Sequence, residues 1–327
     1  MKPVLITGGV RGIGLAIALA FQKKGYRVCV TYSKDEESAE KCRAQGLEVY
    51  RADVSLEEDT LALFNKVGEV DVLVNNAGVS LVKQIQDTTL DDFEKVIGVN
   101  LRGAFLCTRE ASKTMIAKKS GLIVHISSIW GEVGGSCESV YSASKSALLG
   151  FSKALAKELG YSGIRVCCVS PGLIDTAMNA HFSHEEIGAM EEEIPCGRMG
   201  KAEEVARAVV FLEENEYVTG IDLPVNGGFS VLYFFLLKYP SNIFWMNSSA
   251  IPETGDCGFL SSCESCGALS SLGEGSFFSS FLELPNVLNV WVKLDKSFKK
   301  ESICSEFFSC AISGLTLSVN SGFCERK

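Results

Sequence analysis

The sequence predicts an α/β protein in which parallel strands form one doubly wound sheet with helices on both faces. Two observations support this fold class. Short apolar runs alternate with amphipathic segments throughout residues 1–229, which is the rhythm of a single α/β domain. A glycine-rich segment follows the first apolar run directly, where such folds place a strand-to-helix turn. Residues 1–229 are also numerous enough to bury one large core.

The first elements can be followed along the chain. Residues 3–6 form a short apolar run that predicts a buried strand, and residues 7–14 read Thr-Gly-Gly-Val-Arg-Gly-Ile-Gly. A helix is expected next, because apolar side chains recur along one face until Gly25. The residues of that face are Ile13, Ile17, Ala20 and Phe21. Residues 27–31 then predict the second strand.

Glycines between a strand and a helix have a specific chemical use. They let the backbone approach a pyrophosphate closely, and that group then lies at the positive N-terminus of the helix. Glycines alone are more often part of an ordinary turn. Their position here, with a second strand following the helix, is typical of nucleotide binding.

A second pattern indicates proton transfer. Ser128 is followed by Tyr141 and Lys145, and the last two belong to the run Tyr-Ser-Ala-Ser-Lys. Residues four apart share one face of a helix. We therefore expect the Lys145 ammonium to favour the phenolate and to lower the tyrosine pKa from its usual value of about 10. Such a tyrosine can exchange a proton with a carbonyl or alcohol oxygen near neutral pH.

Together these motifs resemble the short-chain dehydrogenase/reductase family over residues 1–229. Besides the glycine loop, the match includes Asn-Asn-Ala-Gly after the apolar run at 70–74 and Pro-Gly-Leu-Ile-Asp-Thr at 171–176. The resemblance implies a single domain with a Rossmann-like fold. It also implies a catalytic tetrad, which in this sequence consists of Asn100, Ser128, Tyr141 and Lys145.

By this resemblance each member of the tetrad has a role. Tyr141 protonates the substrate oxygen as hydride arrives, and Ser128 holds the carbonyl. Lys145 lowers the tyrosine pKa and bonds the nicotinamide ribose, while Asn100 fixes a water that links Lys145 to solvent. Taken singly, Ser128 can also be a strand-end hydroxyl, and Asn100 a helix-interior residue bonded to backbone.

The expected cofactor contacts come from the glycine loop, the second and third strands, and the segment that closes over the nicotinamide. They are Thr7, Gly8, Arg11, Gly12, Ile13, Gly14, Thr31, Ser33, Lys34, Asp53, Val54, Asn76, Ala77, Gly78, Pro171, Gly172, Ile174 and Thr176, together with Tyr141 and Lys145. Asp53 has an alternative role as a cap for the helix from Leu56 onward.

The end of the second strand favours NADPH over NADH. An acidic residue there would bond the ribose 2′-hydroxyl and repel a 2′-phosphate. This strand continues instead into Ser33 and Lys34, and Arg11 of the glycine loop can also face a phosphate. Asp35 follows immediately and can face the site as well, so NADH stays open as the alternative.

Charge and composition argue against several classes of protein. A net charge of −9 disfavours nucleic acids and anionic membrane surfaces as partners. No apolar run reaches the ~20 residues of a membrane span, and no signal peptide precedes the first strand. The cysteines before residue 230 show no framework spacing, and three histidines are too few for a zinc dehydrogenase. We therefore expect a cytoplasmic enzyme without a metal site.

The composition changes after Phe229. Residues 230–327 contain six of the 13 cysteines and many serines and aromatic residues, with no sustained period of 3.6 or 2. The core of the family normally ends close to residue 229. We therefore predict that residues 230–327 are a disordered or non-native extension of unknown structure. A small appended module is the alternative.

Among the relatives, the chain most resembles bacterial 3-oxoacyl-acyl-carrier-protein reductases of fatty acid synthesis. This implies reduction of a 3-oxoacyl thioester to its 3-hydroxyacyl form. Acyl carrier protein is acidic, so its docking needs a positive patch beside the site. Lys118 and Lys119 fall where that family has one docking basic residue. Ser162 falls at the position of the second, so half of the patch is absent.

Other interpretations stay open. Residues 128–138 resemble reductases that act on a 5-aminopentanone-modified lysine of elongation factor P, and Trp130, Cys137 and Glu138 are unlike the fatty-acid enzymes. Glu132 and Glu138 would favour a cationic substrate, unless they are merely solvated. A third possibility is an NADP-binding regulator without turnover, which the complete tetrad argues against. The family resemblance also implies a homotetramer, if the extension permits it.

Overall fold

The computed structural model describes residues 1–179 and 183–230. The strands of this part of the chain are β1 (Pro3–Ile6), β2 (Arg27–Tyr32), β3 (Glu48–Arg51), β4 (Val72–Asn75), β5 (Gly121–Ile126), β6 (Ile164–Pro171), β7 (Ile174–Asp175), β8 (Gly200–Lys201) and β9 (Asp222–Val225). The helices are α1 (Gly12–Lys23), α2 (Glu36–Ala44), α3 (Glu57–Val67), α4 (Leu90–Ile97), α5 (Gly103–Lys118), α6 (Ile129–Val133), α7 (Ser139–Leu159), α8 (His184–Glu193) and α9 (Ala202–Glu214).

Within the described residues, a seven-stranded sheet has the order β3-β2-β1-β4-β5-β6-β9, and every neighbouring pair is parallel. The strand order reverses between β1 and β4. In open sheets of this kind, the crevice beyond the carboxyl ends of the strands at such a reversal is where ligands bind. The doubly wound α/β fold predicted from the sequence is therefore confirmed.

The first strand and helix show why this sequence folds as it does. Val4, Leu5 and Ile6 have no exposed surface, because helices cover both faces of a parallel sheet. On α1, Ile17 and Phe21 are fully buried, as the apolar spacing predicts. The backbone reverses beyond α1 at Gly25, whose φ of 80° is one that glycine adopts readily.

Two of the helices that support the site, α5 and α7, are longer than the average of about 11–12 residues. A π-helical turn at Gly98–Arg102 joins α4 to α5, so that the chain is helical from residue 90 to residue 118. α7 spans 21 residues and packs against β6 and the π-helical turn. A single-turn π-bulge inside a helix frequently marks a functional site.

A second, two-stranded sheet pairs Ile174 with Gly200 and Asp175 with Lys201. It ties the segment after β6 to the start of α9. No helix among the described residues is both long and apolar enough to cross a bilayer. The extension predicted for residues 230–327 lies outside the described residues except for Ser230, and the boundary at residue 229 stays a prediction.

Candidate active site

The glycine loop has the backbone geometry that its sequence requires. Gly8 and Gly12 adopt φ values of 63° and 54°, in the left-handed region that favours glycine. A Cβ atom at residue 14 would lie only 2.6 Å from the carbonyl oxygen of Gly8. The first turn of α1 therefore lies directly against the loop, and the loop leaves its backbone open for the close approach of a pyrophosphate.

Side chains from the neighbouring strand ends hold this loop in place. The Thr7 hydroxyl accepts hydrogen bonds from the backbone amides of Asn76 and Ala77, both at 3.0 Å. The Asn76 side-chain amide donates to the carbonyl oxygens of Thr7 and Gly8, at 2.9 and 3.1 Å. The Gly8 amide in turn donates to the Thr31 hydroxyl at 3.1 Å. These bonds fix the conformation of the loop against the ends of β2 and β4.

The far end of the loop is exposed and carries opposite charges. Arg11 precedes α1, and its guanidinium lies 3.5 Å from the Asp35 carboxylate. Asp35 also caps α2 by accepting the amide of Ser38, and this bond and the Arg11 charge lower its pKa. Ser33 and Lys34 are exposed beside them. Asp35 therefore does face this end of the site, but with Arg11 as its partner.

Asp53 and Val54 differ in how they are placed. The Asp53 carboxylate accepts the amide and the hydroxyl of Ser55, at 3.0 and 2.7 Å, in the turn that leads into α3. The alternative role of Asp53 as a cap of this helix is therefore wrong, because the N-cap is Leu56 and no side chain caps it; the Asp53 carboxylate closes the preceding turn instead. Val54 is buried, and a Cβ atom at Gly103 would lie 2.9 Å from its side chain.

The predicted tetrad lies at the carboxyl end of the sheet, on three different elements. Ser128 caps the short helix α6 by accepting the amide of Trp130 at 3.2 Å. Tyr141 and Lys145 lie in the first two turns of α7, and Asn100 lies in the π-helical turn. All four are buried, with 8 % or less of their surface exposed. The Ser128 hydroxyl also lies close enough to Tyr141 to lower its pKa.

The pKa values of this group differ from the expectation. Burial raises the pKa of Tyr141 to about 12; the nearby Ser128 hydroxyl acts to lower it, and the Glu138 charge to raise it. Burial also lowers the pKa of Lys145 to about 8. The Lys145 ammonium donates to the Ile126 carbonyl at 2.8 Å and lies 5.7 Å from the centroid of the Tyr141 ring. The expected lowering of the tyrosine pKa by Lys145 is absent here, because desolvation dominates.

Asn100 is held by the loop that follows β4. Its side-chain oxygen accepts the Val79 amide at 2.8 Å, and its side-chain nitrogen donates to the Val79 carbonyl at 3.0 Å. The same nitrogen donates to the Ser144 hydroxyl at 3.0 Å. A Cβ atom at Gly78 would lie 3.3 Å from the Lys145 ammonium and 3.5 Å from the Asn100 oxygen. Glycine at residue 78 therefore leaves room for the lysine, while the water expected beside Asn100 stays a prediction.

The segment at 171–176 passes close to the glycine loop at Gly12. The Gly172 amide donates to the Val225 carbonyl at 3.0 Å, and a Cβ atom there would meet the Asn226 backbone at 2.7 Å. Thr176 lies over the loop, since its methyl group is 3.6 Å from a Cβ position at Gly12. A cavity of about 260 Å³ opens beside this segment, lined by Asp175, Thr176, Ala177, Asn179, Ile187 and Met199.

Two aromatic rings that sequence reasoning did not link meet beside Ser128. The Trp130 and Phe229 rings pack edge to face, with centroids 5.6 Å apart. A Cβ atom at Gly135 would lie 3.1 Å from the Trp130 ring and 3.3 Å from the Glu138 Cβ atom. The sequence marks Trp130 as unlike the fatty-acid enzymes, but it carries no pattern for the contact with Phe229. The two residues are 99 positions apart.

The expected docking patch is only partly present. The Lys118 ammonium contacts the carboxylates of Asp71 and Glu69. Lys119 is exposed and follows α5 in the left-handed conformation, with a φ of 53°. Ser162 lies in a short 3-10 helix before β6. The charge of Lys118 is therefore largely compensated, which leaves Lys119 as the more exposed of the two basic side chains.

Comparison with known proteins identifies the family. A family model described as enoyl-(acyl carrier protein) reductase matches residues 8–230. The chain is 40% identical over 235 residues to an acetoacetyl-CoA reductase of Shinella zoogloeoides, covering 69% of this chain and 98% of the relative. It is 40% identical over 239 residues to a 3-oxoacyl-[acyl-carrier-protein] reductase of Aquifex aeolicus, covering 69% and 96%. A human 3-oxoacyl-[acyl-carrier-protein] reductase is 39% identical over 237 residues, covering 71% and 99%.

The family model spans the glycine loop from Gly8 onward and the buried Ser128, Tyr141 and Lys145. The relatives act on ketones, according to their names, and the chain covers nearly all of their length. The chain belongs to the short-chain dehydrogenase/reductase family and is an oxidoreductase that acts on CH–OH and C=O groups.

Proposed function

We propose that this protein uses NADPH to reduce a 3-oxoacyl thioester, carried by acyl carrier protein, to the 3-hydroxyacyl form. The observation that carries the proposal is the pair of hydroxyl groups of Ser128 and Tyr141, which are both buried and close enough for Ser128 to lower the pKa of Tyr141. A ketone oxygen held between them can accept from both hydroxyls. The names of the relatives supply the class of thioester.

In this proposal each buried group has a defined task. The nicotinamide supplies the hydride. Tyr141 supplies the proton, and a pKa of about 12 keeps it protonated at physiological pH, as an acid in the reduction direction must be. Ser128 orients the carbonyl oxygen. Lys145, fixed by the Ile126 carbonyl, places a positive charge close to the phenolate that Tyr141 becomes.

NADPH is the proposed cofactor because of the basic groups at the exposed end of the glycine loop. Arg11 and Lys34 are both exposed there. The Arg11 guanidinium already contacts one anion, the Asp35 carboxylate, and can contact a phosphate in the same way. A 2′-phosphate competes with Asp35 for Arg11. The preference for NADPH is therefore a balance between attraction to Arg11 and repulsion by Asp35.

A second substrate is favoured by one specific observation. The Glu138 charge raises the pKa of Tyr141, so this carboxylate acts on the proton donor, and the Trp130 ring packs beside the Glu138 Cβ atom across Gly135. A carboxylate and an aromatic ring at the mouth of a site favour a cationic substrate. The 5-aminopentanone group on a lysine of elongation factor P is such a substrate.

The test compares three substrates with the full-length protein and NADPH: acetoacetyl-acyl carrier protein, acetoacetyl-CoA, and elongation factor P carrying the aminopentanone group. We expect the highest kcat/KM with the carrier-bound substrate. A higher value with elongation factor P would replace the first candidate by the second. NADPH binding without oxidation of any of the three would favour a regulator that has lost turnover.

We also propose that the protein assembles as a homotetramer. The α4–α5 segment leaves large apolar side chains partly exposed, among them Leu90, Phe93, Phe105 and Ile116. Such side chains along one helical segment are typical of an interface between copies. Light scattering of the full-length protein measures its mass in solution, and a monomeric mass would contradict the assembly. A cytoplasmic location stays a prediction.

A further inference from the structure

A buried hydroxyl outside the tetrad connects two of its members. Ser144 has no exposed surface, and it lies in α7 between Tyr141 and Lys145. Its hydroxyl donates to the backbone carbonyl of Tyr141 at 2.7 Å. The same oxygen accepts a hydrogen bond from the side-chain nitrogen of Asn100 at 3.0 Å. Ser144 thus links the π-helical turn to the backbone of the proposed proton donor.

The direction of these bonds is fixed by the groups available. The Val79 amide can only donate, so the Asn100 oxygen must face it, and the Asn100 nitrogen must face the Val79 carbonyl. The second N–H of Asn100 is then left for Ser144. Because the Ser144 proton is engaged by the Tyr141 carbonyl, its oxygen can only accept from Asn100. The chain of bonds therefore has a single orientation.

This chain ends at the two places where the proposed reaction is most sensitive to position. In a helix, the carbonyl of Tyr141 also accepts the amide of the residue four positions later, which is Lys145. At the other end, the Asn100 oxygen and the Lys145 ammonium both border Gly78, within 3.5 and 3.3 Å of the same Cβ position. A shift of Asn100 therefore changes the packing around the lysine.

We propose that Ser144 is a positioning residue for carbonyl reduction, which holds Asn100 and the Tyr141–Lys145 turn in register through its two hydrogen bonds. The inference rests on the proposed ketoreductase function. Ser144 does not touch the reacting atoms. It acts by fixing the turn that carries the proton donor and by keeping the Asn100 oxygen near the ammonium.

The test is the variant Ser144→Ala in the full-length protein, assayed with acetoacetyl-CoA and NADPH. We expect kcat to fall about tenfold, since small misplacements of reacting groups are costly, while KM and NADPH affinity stay within about twofold. The alkaline limb of the kcat profile should move to lower pH, because a loosened Tyr141–Lys145 turn weakens the bond by which the Ile126 carbonyl holds the Lys145 ammonium. Ser144→Thr keeps a hydroxyl that can bond the preceding turn and should restore most of kcat.

Ser152 offers a matched control on the same helix. It is also buried, and its hydroxyl lies 3.0 Å from the Cys168 sulfur, away from Asn100. We expect Ser152→Ala to lower Tm about as much as Ser144→Ala does, without changing kcat or its pH limb. Should Ser144→Ala fail to fold, Ser144→Cys keeps the volume with a weaker hydrogen-bonding group and must show the same pattern in milder form.

Two kinds of failure can be told apart. If the unmodified protein oxidises no NADPH with acetoacetyl-CoA, the proposed function fails, and the role of Ser144 fails with it. If the unmodified protein does oxidise NADPH, the comparison of the two serine variants decides. The positioning role alone is overturned if Ser144→Ala has the kcat and pH profile of the unmodified protein and differs from Ser152→Ala only in Tm. A double variant with Asn100→Ala should lose no more kcat than Asn100→Ala alone, because both changes break the same chain. Additive losses would contradict the link.

Discussion

The two ends of the candidate site are built in opposite ways. At the proposed catalytic end, Asn100, Tyr141 and Lys145 are buried, and Asn100 and Lys145 each hydrogen-bond to neighbours in the protein. At the end proposed to hold the adenosine, the Arg11 side chain is 69% exposed, and its contact with Asp35 is long for a salt bridge. The catalytic end is therefore determined by packing, and the adenosine end by side chains that solvent reaches.

The comparison of the two ends shows that a charged group has a large effect where it is buried and a small one where it is exposed. Burial moves the pKa values of Tyr141 and Lys145 to about 12 and about 8, because the charged form of each group has lost its water. An exposed pair such as Arg11 and Asp35 is screened by water and salt, and such pairs contribute at most ~1 kcal/mol. Substitutions at the catalytic end should therefore change the reaction strongly, and those at the adenosine end only shift a preference.

The largest effect should come from removing the proposed proton donor. Tyr141→Phe keeps the ring and removes the transferable proton, so kcat should fall about 10²–10⁴-fold, which is the usual contribution of general acid catalysis. NADPH affinity, measured by fluorescence titration, should stay nearly unchanged. Retention of more than about a tenth of kcat would assign the acid role to another group.

Gly78→Ala should have the next largest effect. The added methyl group would lie 3.3 Å from the Lys145 ammonium, a tight contact that shifts the ammonium by a few tenths of an ångström, and 3.5 Å from the Asn100 oxygen, an ordinary contact. Displacement of a reacting group by about 1 Å can cost up to ~10²-fold in rate, so for this smaller shift we expect kcat to fall about tenfold. Gly150→Ala on α7 is the matched control, since its added methyl group meets no atom within 4 Å. Equal activity of the two variants would show that this close packing is unimportant.

The buried lysine should have a measurable effect on stability. Its pKa is lowered to about 8 in the folded protein, so between pH 8 and about 10.4, the usual lysine value, the unfolded chain binds more protons and stability rises with pH. Lys145→Met lacks the buried charge, and its Tm at pH 7 should exceed that of the unmodified protein by ~2–4 °C, as for ~1 kcal/mol. The difference in Tm between the variant and the unmodified protein should disappear by pH 10. A difference in Tm that is constant with pH would mean that the buried charge is not its cause.

The smallest effect is expected at the adenosine end. Arg11→Ala should weaken NADPH binding about 3–10-fold while leaving NADH almost unchanged, since a charge-assisted contact to phosphate is lost. Asp35→Asn should do the reverse and favour NADPH, and both effects should shrink as salt is added. Equal loss of both cofactors in Arg11→Ala would instead assign Arg11 to the pyrophosphate.

The sequence predicted the elements and motifs whose cause is local. The strand at residues 3–6, the apolar face of α1 and the four-residue spacing of Tyr141 and Lys145 are of this kind. The pKa direction of Tyr141 was predicted wrongly, because it depends on how deeply tertiary packing buries the ring and on where the Lys145 ammonium finds a partner.

Contacts between distant segments were also beyond sequence reasoning. Lys118 was expected to serve a docking patch, but the chain brings Asp71 and Glu69 against it from before β4. The Asn100–Ser144 bond likewise joins residues 44 positions apart. Side-chain partners of this kind follow from the packing of helices on the sheet, for which a single sequence carries no local signal.

The edge-to-face contact of Trp130 with Phe229 places a fluorescent side chain beside the candidate site. The Trp130 amide bonds the Ser128 hydroxyl, so the indole moves with the strand end that holds the proposed carbonyl ligand. The other two tryptophans, Trp245 and Trp291, lie in the part of the chain beyond the described residues. With both replaced by phenylalanine, the emission of the protein becomes that of one indole beside its own active site. Cofactor arrival, substrate arrival and the packing of residue 229 then become events that a fluorimeter records in real time.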